Sequence, residues 1–192
     1  MNDISNERDL DFAKEEIINN KILLISLNKP NKGNTLSLQT IKYLSNRLDQ
    51  ISNDKKIRVL IIASEGKIFS AGHDLKEIIK NDKLSNSELF RECSELMIKI
   101  TKLPQPVIAQ VDGFASAAGC QLVATCDLAI ASKESFFSTP GIKIGLFCST
   151  PMVALTRAVN TKKSLEMLLT GEAIDANYAL EIGLINKVET KQ

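Results

Sequence analysis

Residues 106–132 read PVIAQVDGFASAAGCQLVATCDLAIAS. The opening PVIAQV is a short apolar run, which predicts a strand buried on both faces. Asp112 and Gly113 mark a turn. ASAAGC, residues 115–120, leads into a helix rich in Ala, and DLAIAS, residues 127–132, returns to a strand. Strand, small-residue loop, helix, strand is the repeating unit of a parallel sheet with right-handed crossovers.

The same unit recurs toward the N-terminus. KILLISL, residues 21–27, predicts a strand, and NKPNKGN, residues 28–34, a loop broken by Pro30 and Gly33. Leu38, Ile41, Leu44, Leu48 and Ile51 share one helical face, which predicts a helix over 37–52. RVLIIAS, residues 58–64, reads as a second buried strand, followed by the loop GKIFSAGHD, residues 66–74. Ser85 and Glu88 form a capping-box pattern. Behind them Leu89, Cys93, Leu96, Met97, Ile100 and Leu103 keep the helical period until Pro104 and Pro106 stop it. Near the end, Asp175 caps a short helix that Gly183 closes, and residues 184–188 read as a last strand. The expected organisation is an N-terminal arm over 1–15 and one α/β core over 16–192.

Composition narrows the function. A chain of 192 residues fits roughly one domain. Lys and Arg number 24 against 23 Asp and Glu, a net charge of +1 that offers no basic field to nucleic acid. With no Trp and 2 Tyr, a base-stacking platform is not expected. No apolar run approaches the roughly 20 residues of a spanning helix, so no membrane span is expected. The 4 Cys (Cys93, Cys120, Cys126, Cys148) show no two-residue-spaced pair and meet a single His, so no metal site is expected and the thiols read as free and mostly buried. The acidic, polar start lacks the features of a signal or transit peptide, which leaves a cytoplasmic location by elimination. A small-molecule site on a soluble domain remains.

Two loops carry the candidate chemistry. SAGHD, residues 70–74, and ASAAGC, residues 115–120, both follow strands and are built from small residues. Such loops let backbone approach a ligand, and a helix start offers unpaired N–H groups. Two N–H groups converging from separate loops would make an oxyanion hole. The alternative is that the small residues only permit tight helix–sheet packing.

Three blocks, FSAGHDLKE at 69–77, the 106–132 stretch, and LLTGEAIDANYALEIGLINKV at 168–188, together resemble the enoyl-CoA hydratase/isomerase (crotonase) family in content, order and separation. The match runs from about Lys21 to Val188. GHDLKE and TPGIKIGLFCST resemble one particular branch of it. The resemblance implies a crotonase-like (ClpP/crotonase) spiral of ββα units, with parallel sheets flanked by helices, usually assembled as homotrimers or hexamers. It implies acyl-CoA thioester binding and stabilisation of an enolate, with coenzyme A entering only as part of the substrate and no separate cofactor. The oxyanion donors would be the backbone N–H groups of His73 and Ala118. Backbone around Ala71, His73 and Leu75 would hold the adenine end of CoA. Lys29 and Lys32 would contact its phosphates, and Gly119 would let the second loop approach the thioester.

This chain departs from the family at the two glutamates that flank the hydratase water. Gln121 stands at the first position and Gly141 at the second. Gln cannot exchange a proton near neutral pH and Gly has no side chain. Glu77 and Glu134 are the nearest acids and are expected to face solvent. Cys148 reads as a buried structural thiol, Asp127 as structural, and Asp74 as ordering its own loop. The family also continues beyond the LINKV strand with helices that this chain, ending at Gln192, is expected to lack. Three functions follow: an acyl-CoA-binding protein with altered chemistry; an active hydratase/isomerase with a relocated acid, or a decarboxylase using His73; or a non-catalytic structural or regulatory subunit.

Overall fold

The computed structural model describes residues 7–190. A seven-stranded sheet has the order β1-β2-β3-β4-β6-β8-β11. Its strands are β1 Glu7–Leu10, β2 Ala13–Ile18, β3 Ile22–Leu27, β4 Val59–Ser64, β6 Val107–Val111, β8 Leu128–Ser132 and β11 Lys187–Glu189. From β3 to β11 every pairing is parallel, and β1 and β2 form an antiparallel hairpin on one edge. A second sheet, ordered β10-β9-β7-β5, uses β5 Ile68–Ser70, β7 Phe114–Ser116, β9 Phe136–Ser138 and β10 Ile174–Asp175. Each turn of the chain thus lays one strand in the large sheet and one in the small sheet. The connections β4 to β5, β6 to β7 and β8 to β9 are all short.

The helices are α1 Leu38–Ser52, α2 Leu75–Lys80, α3 Lys83–Lys102, α4 Ala118–Thr125, α5 Ser149–Ala158, α6 Thr161–Thr170 and α7 Ala176–Glu181. The apolar stripe expected on α1 is buried at Ile41, Leu44, Leu48 and Ile51, and the α3 stripe at Leu89, Cys93, Leu96, Met97 and Ile100. These stripes close one continuous core with Leu23, Leu60, Phe69, Val107 and Phe137. At about 25 cal/mol per Å² of buried apolar area, such a core supplies most of the folding free energy. No described helix is long and apolar enough to cross a membrane.

Three expectations need correction. Residues 7–15 are not an arm but most of the β1–β2 hairpin, while residues 1–6 lie outside the described residues. The hairpin holds because Ala13 is fully buried and Glu15, 7% exposed, is paired with Arg47 (2.6 Å) and bonded by the Tyr43 hydroxyl. The α3 cap is Asp82, which accepts from the Ser85 N–H at 2.8 Å; the helix therefore begins before Ser85. Glu88 is not the return half of a capping box, because it reaches across to Lys42 at 2.6 Å. Finally, α5 and α6 fill a stretch with no assigned element. Pro151 in the first turn of α5, Asn160 capping α6 and Gly171 closing it were readable signals.

Candidate functional site at the junction of two loops

The SAGHD loop leaves β5, and the ASAAGC loop joins β7 to α4. β5 and β7 are parallel neighbours in the small sheet, so both loops emerge side by side. Two glycines press them together. A Cβ on Gly119 would lie 2.2 Å from the Ser70 carbonyl oxygen, and one on Gly72 would lie 2.9 Å from the Ala118 amide nitrogen. Gly72 also has φ +87, a conformation that L side chains rarely adopt. Gly119 therefore serves a packing of loop on loop, a role beyond the expected approach to a ligand.

Ala117, the residue before α4, has φ 50 and ψ −118. A non-glycine residue in that region typically stores about 1–3 kcal/mol. Its own N–H is anchored to the Ser138 carbonyl of β9 at 2.9 Å. The strained turn swings the Ala117–Ala118 peptide off the helical path. The Ala118 N–H finds no acceptor among the described residues, and neither does the His73 N–H. Ala117→Gly is expected to stabilise the fold by about 1 kcal/mol, as relief of strain exceeds the added flexibility of the unfolded chain. Denaturant unfolding checks this; a lower midpoint would contradict it.

The first loop also rests on the segment after β3. The Ala71 N–H donates to the Gly33 carbonyl (2.8 Å), and the Leu36 N–H donates to the Gly72 carbonyl (2.8 Å). His73 Nδ1 lies 3.3 Å from the Leu36 carbonyl, so Nδ1 carries the proton. Its ring meets Phe90 edge-on at 5.1 Å between centroids. The His73 side chain is thus committed to the loop, and its buried Nε2 has no partner among the described residues.

Burial pushes His73 below the usual histidine range, partly offset by the Leu36 carbonyl. At His73 the unfolded chain therefore binds more proton than the folded one just below about pH 6.5. His73's contribution is complete above that pH and is lost as pH falls from it through the lower value of the folded state. Because His73 is the 1 histidine in the chain, His73→Gln is expected to flatten the stability profile just below about pH 6.5. An unchanged slope in chemical denaturation across that range would contradict this.

Lys29 is half-buried, with Nζ 5.4 Å above the Phe12 ring, and Lys32 is exposed. Both sit on the segment that supports the first loop. Ala71 and Leu75 are exposed beside it. Asp74 caps α2, accepting from the Lys76 N–H at 2.9 Å. Glu77 is not solvent-facing: its carboxylate lies 3.3 Å from the Leu38 N–H at the start of α1. Glu134 is exposed. Asp127 accepts from the Val107 N–H at 2.8 Å, a structural tie between β6 and β8.

Gly141 is buried in the short 3-10 helix Pro140–Ile144. Its N–H donates to Cys148 Sγ at 3.3 Å, and the Leu146 N–H closes back on its carbonyl at 2.9 Å. A Cβ there would lie 2.8 Å from both Cys148 Sγ and the Leu146 oxygen. Burial raises the Cys148 thiol pKa, and burial together with nearby Cys148 pushes Cys120 up to about 12. Both are neutral thiols near pH 7, not poised nucleophiles.

Gln121 is 5% exposed, and its Oε1 has no partner among the described residues. It lines a pocket of about 560 Å³ between α3, α4 and α5, which includes Met97, Val153 and Arg157. None of His73, Ala118 or Gly141 lines that pocket. The chemistry-bearing backbone lies at the loop junction, which is therefore the candidate site. Sequence reading missed Gly72 and Ala117; the glycine inside SAGHD was the available signal, whereas nothing in the letter Ala marks strain.

The fold and the two adjoining loops stand beside the following similarities. The enoyl-CoA hydratase/isomerase family description matches residues 17–192, and the chain belongs to that family. Within it, the chain is 51% identical over 165 residues to human enoyl-CoA hydratase domain-containing protein 3, mitochondrial, covering 85% of this chain and 54% of that protein. The crystal structure of human enoyl Coenzyme A hydratase domain-containing protein 3 superposes with a TM-score of 0.86 at 48% identity, over 96% of this chain and 70% of that one. An enoyl-CoA hydratase from Mycobacterium smegmatis gives a TM-score of 0.89 at 41% identity, over 93% and 70%. The fold is the crotonase-like α/β spiral. The chain spans little more than half the length of the human relative. The expected cytoplasmic location is overturned, because relatives from human, frog and rat are named as mitochondrial proteins.

Proposed function

We propose that this chain binds acyl-CoA thioesters in a mitochondrial setting and stabilises an enolate at the thioester carbonyl. The observation that carries this reading is the pair of N–H groups, His73 and Ala118, left without acceptors among the described residues, on two loops locked together by Gly72 and Gly119. Backbone N–H groups placed in advance gain strength as negative charge develops on the carbonyl oxygen. Each is typically worth about 3–4 kcal/mol in such a role. Backbone of Ala71, His73 and Leu75 takes the adenine end of CoA, and Lys29 and Lys32 face its phosphates. No further cofactor is required.

Ordinary hydration is not part of the proposal. It needs an acid and a base around one water, each worth about 100- to 10,000-fold. Gln121 supplies neither, Gly141 has no side chain, and the Glu77 carboxylate faces the Leu38 N–H at the start of α1. The assembly we infer is a homotrimer or hexamer, supported by the exposed apolar run Ile142, Ile144, Leu146 and Phe147. Acetoacetyl-CoA, whose enolate has a distinct ultraviolet band, tests the site: the band is expected to rise on mixing with the protein. Its absence at saturating protein would contradict an oxyanion hole here.

A further inference from the structure

We infer that Asn34 is the positioning residue of the first oxyanion loop; the inference rests on the enolate-binding reading above. Asn34 is 2% exposed and adopts φ 49, in the left-handed region that Asn tolerates better than most residues. Its amide spans two chain segments. Oδ1 accepts from the Lys29 N–H at 2.7 Å, which closes the segment on itself. Nδ2 donates to the Glu65 carbonyl at 2.9 Å and to the Ile68 carbonyl at 2.6 Å, both on the approach to and start of β5. Both donor hydrogens are used, each on a backbone carbonyl.

The two neighbours of this strap hold the oxyanion loop. Gly33 accepts from Ala71, and Leu36 both donates to Gly72 and accepts from His73 Nδ1. The path is therefore Asn34 to residues 33–36, then to residues 71–73, where the His73 N–H is presented. Neither Asp nor Ala reproduces it. Asp keeps the acceptor for Lys29 but sets a carboxylate against the Glu65 and Ile68 carbonyls, and Ala leaves all three groups unpaired. The same strap orders Lys29 and Lys32, so one side chain aligns the enolate donor with the CoA-facing loop.

The test compares wild type, Asn34→Ala, Asn34→Asp and Leu48→Ala, the last a core variant of α1 remote from the loops. Two readouts are taken on folded protein: the acetoacetyl-CoA enolate band, and amide hydrogen exchange of residues 33–36 and 71–73. Both Asn34 variants are expected to lose at least tenfold in enolate formation and to speed exchange at Ala71 and Leu36, whose N–H bonds join the segments. Leu48→Ala is expected to lower stability without changing either readout. Should Asn34→Ala fail to fold, Asn34→Asp carries the comparison. Wild-type enolate formation and unchanged exchange at Ala71 in a folded Asn34 variant would overturn the proposal. A wild-type protein that forms no enolate, with exchange at Ala71 still accelerated in the variants, would instead overturn the enolate reading and leave Asn34 a structural strap, which also refutes its role in the site.

Discussion

Gly119→Ala is expected to abolish enolate binding and to lower stability by about 1–3 kcal/mol, the usual range for overfilling a packed interior. The added methyl would sit 2.2 Å from the Ser70 carbonyl oxygen and 2.8 Å from the Ser70 Cβ. Neither atom can rotate away, since Ser70 ends β5 and is fully buried. Relief requires the two loops to separate, and separation pulls the Ala118 N–H away from the His73 N–H. Losing one such donor costs roughly 100- to 1,000-fold, so the binding effect exceeds the stability effect. Gly145→Ala is the matched control: its φ is +76 but nothing lies within 4 Å, so only backbone strain of about 1–2 kcal/mol is added. Titration with acetoacetyl-CoA and denaturant unfolding of both variants check the pair. Normal binding by Gly119→Ala would place the site elsewhere.

Restoring the missing glutamates is expected to fail. Gly141→Glu drives a side chain toward Cys148 Sγ and the Leu146 carbonyl, each 2.8 Å from its first carbon. The thiol can be removed by adding Cys148→Ala, but the carbonyl belongs to a turn that closes on Gly141 itself. The expected result is a loss of about 2–3 kcal/mol in stability and no hydration of a short enoyl-CoA above background, with or without Gln121→Glu. The Gln121→Glu change adds a carboxylate at a site 5% exposed, where desolvation opposes ionisation. Glycine at 141 is thus built into the shape of the 140–148 segment, not an acid simply trimmed away. A double glutamate variant of wild-type stability that hydrates crotonyl-CoA would contradict this.

The parallel core was legible because its signals are strong. Continuous apolar runs gave β3, β4, β6 and β8, and the Leu38 to Ile51 stripe gave α1, which Ser37 caps. The small sheet was not legible, since β5, β7 and β9 span three residues each and take their structure from neighbours. The β1–β2 hairpin hid behind Glu15, a carboxylate that pattern reading sends to solvent. Arg47 and Tyr43, on α1, supply the partners that let it be buried. In the site, SAGHD and ASAAGC were readable as small-residue loops, and the structure presses them together. The strain at Ala117, anchored to Ser138, and the strap from Asn34 to Glu65 and Ile68 depend on tertiary contacts, which no local pattern encodes.

The most direct test of the central claim is a calorimetric titration of the protein with acetoacetyl-CoA, with free CoA as the comparison. In the proposed site both ligands would share the adenine and phosphate contacts at Ala71, Leu75, Lys29 and Lys32, but only the thioester would place an enolisable carbonyl between His73 and Ala118. The expected result is binding at least tenfold tighter for acetoacetyl-CoA. Equal affinity for the two, or none for either, would contradict a working oxyanion hole at this junction.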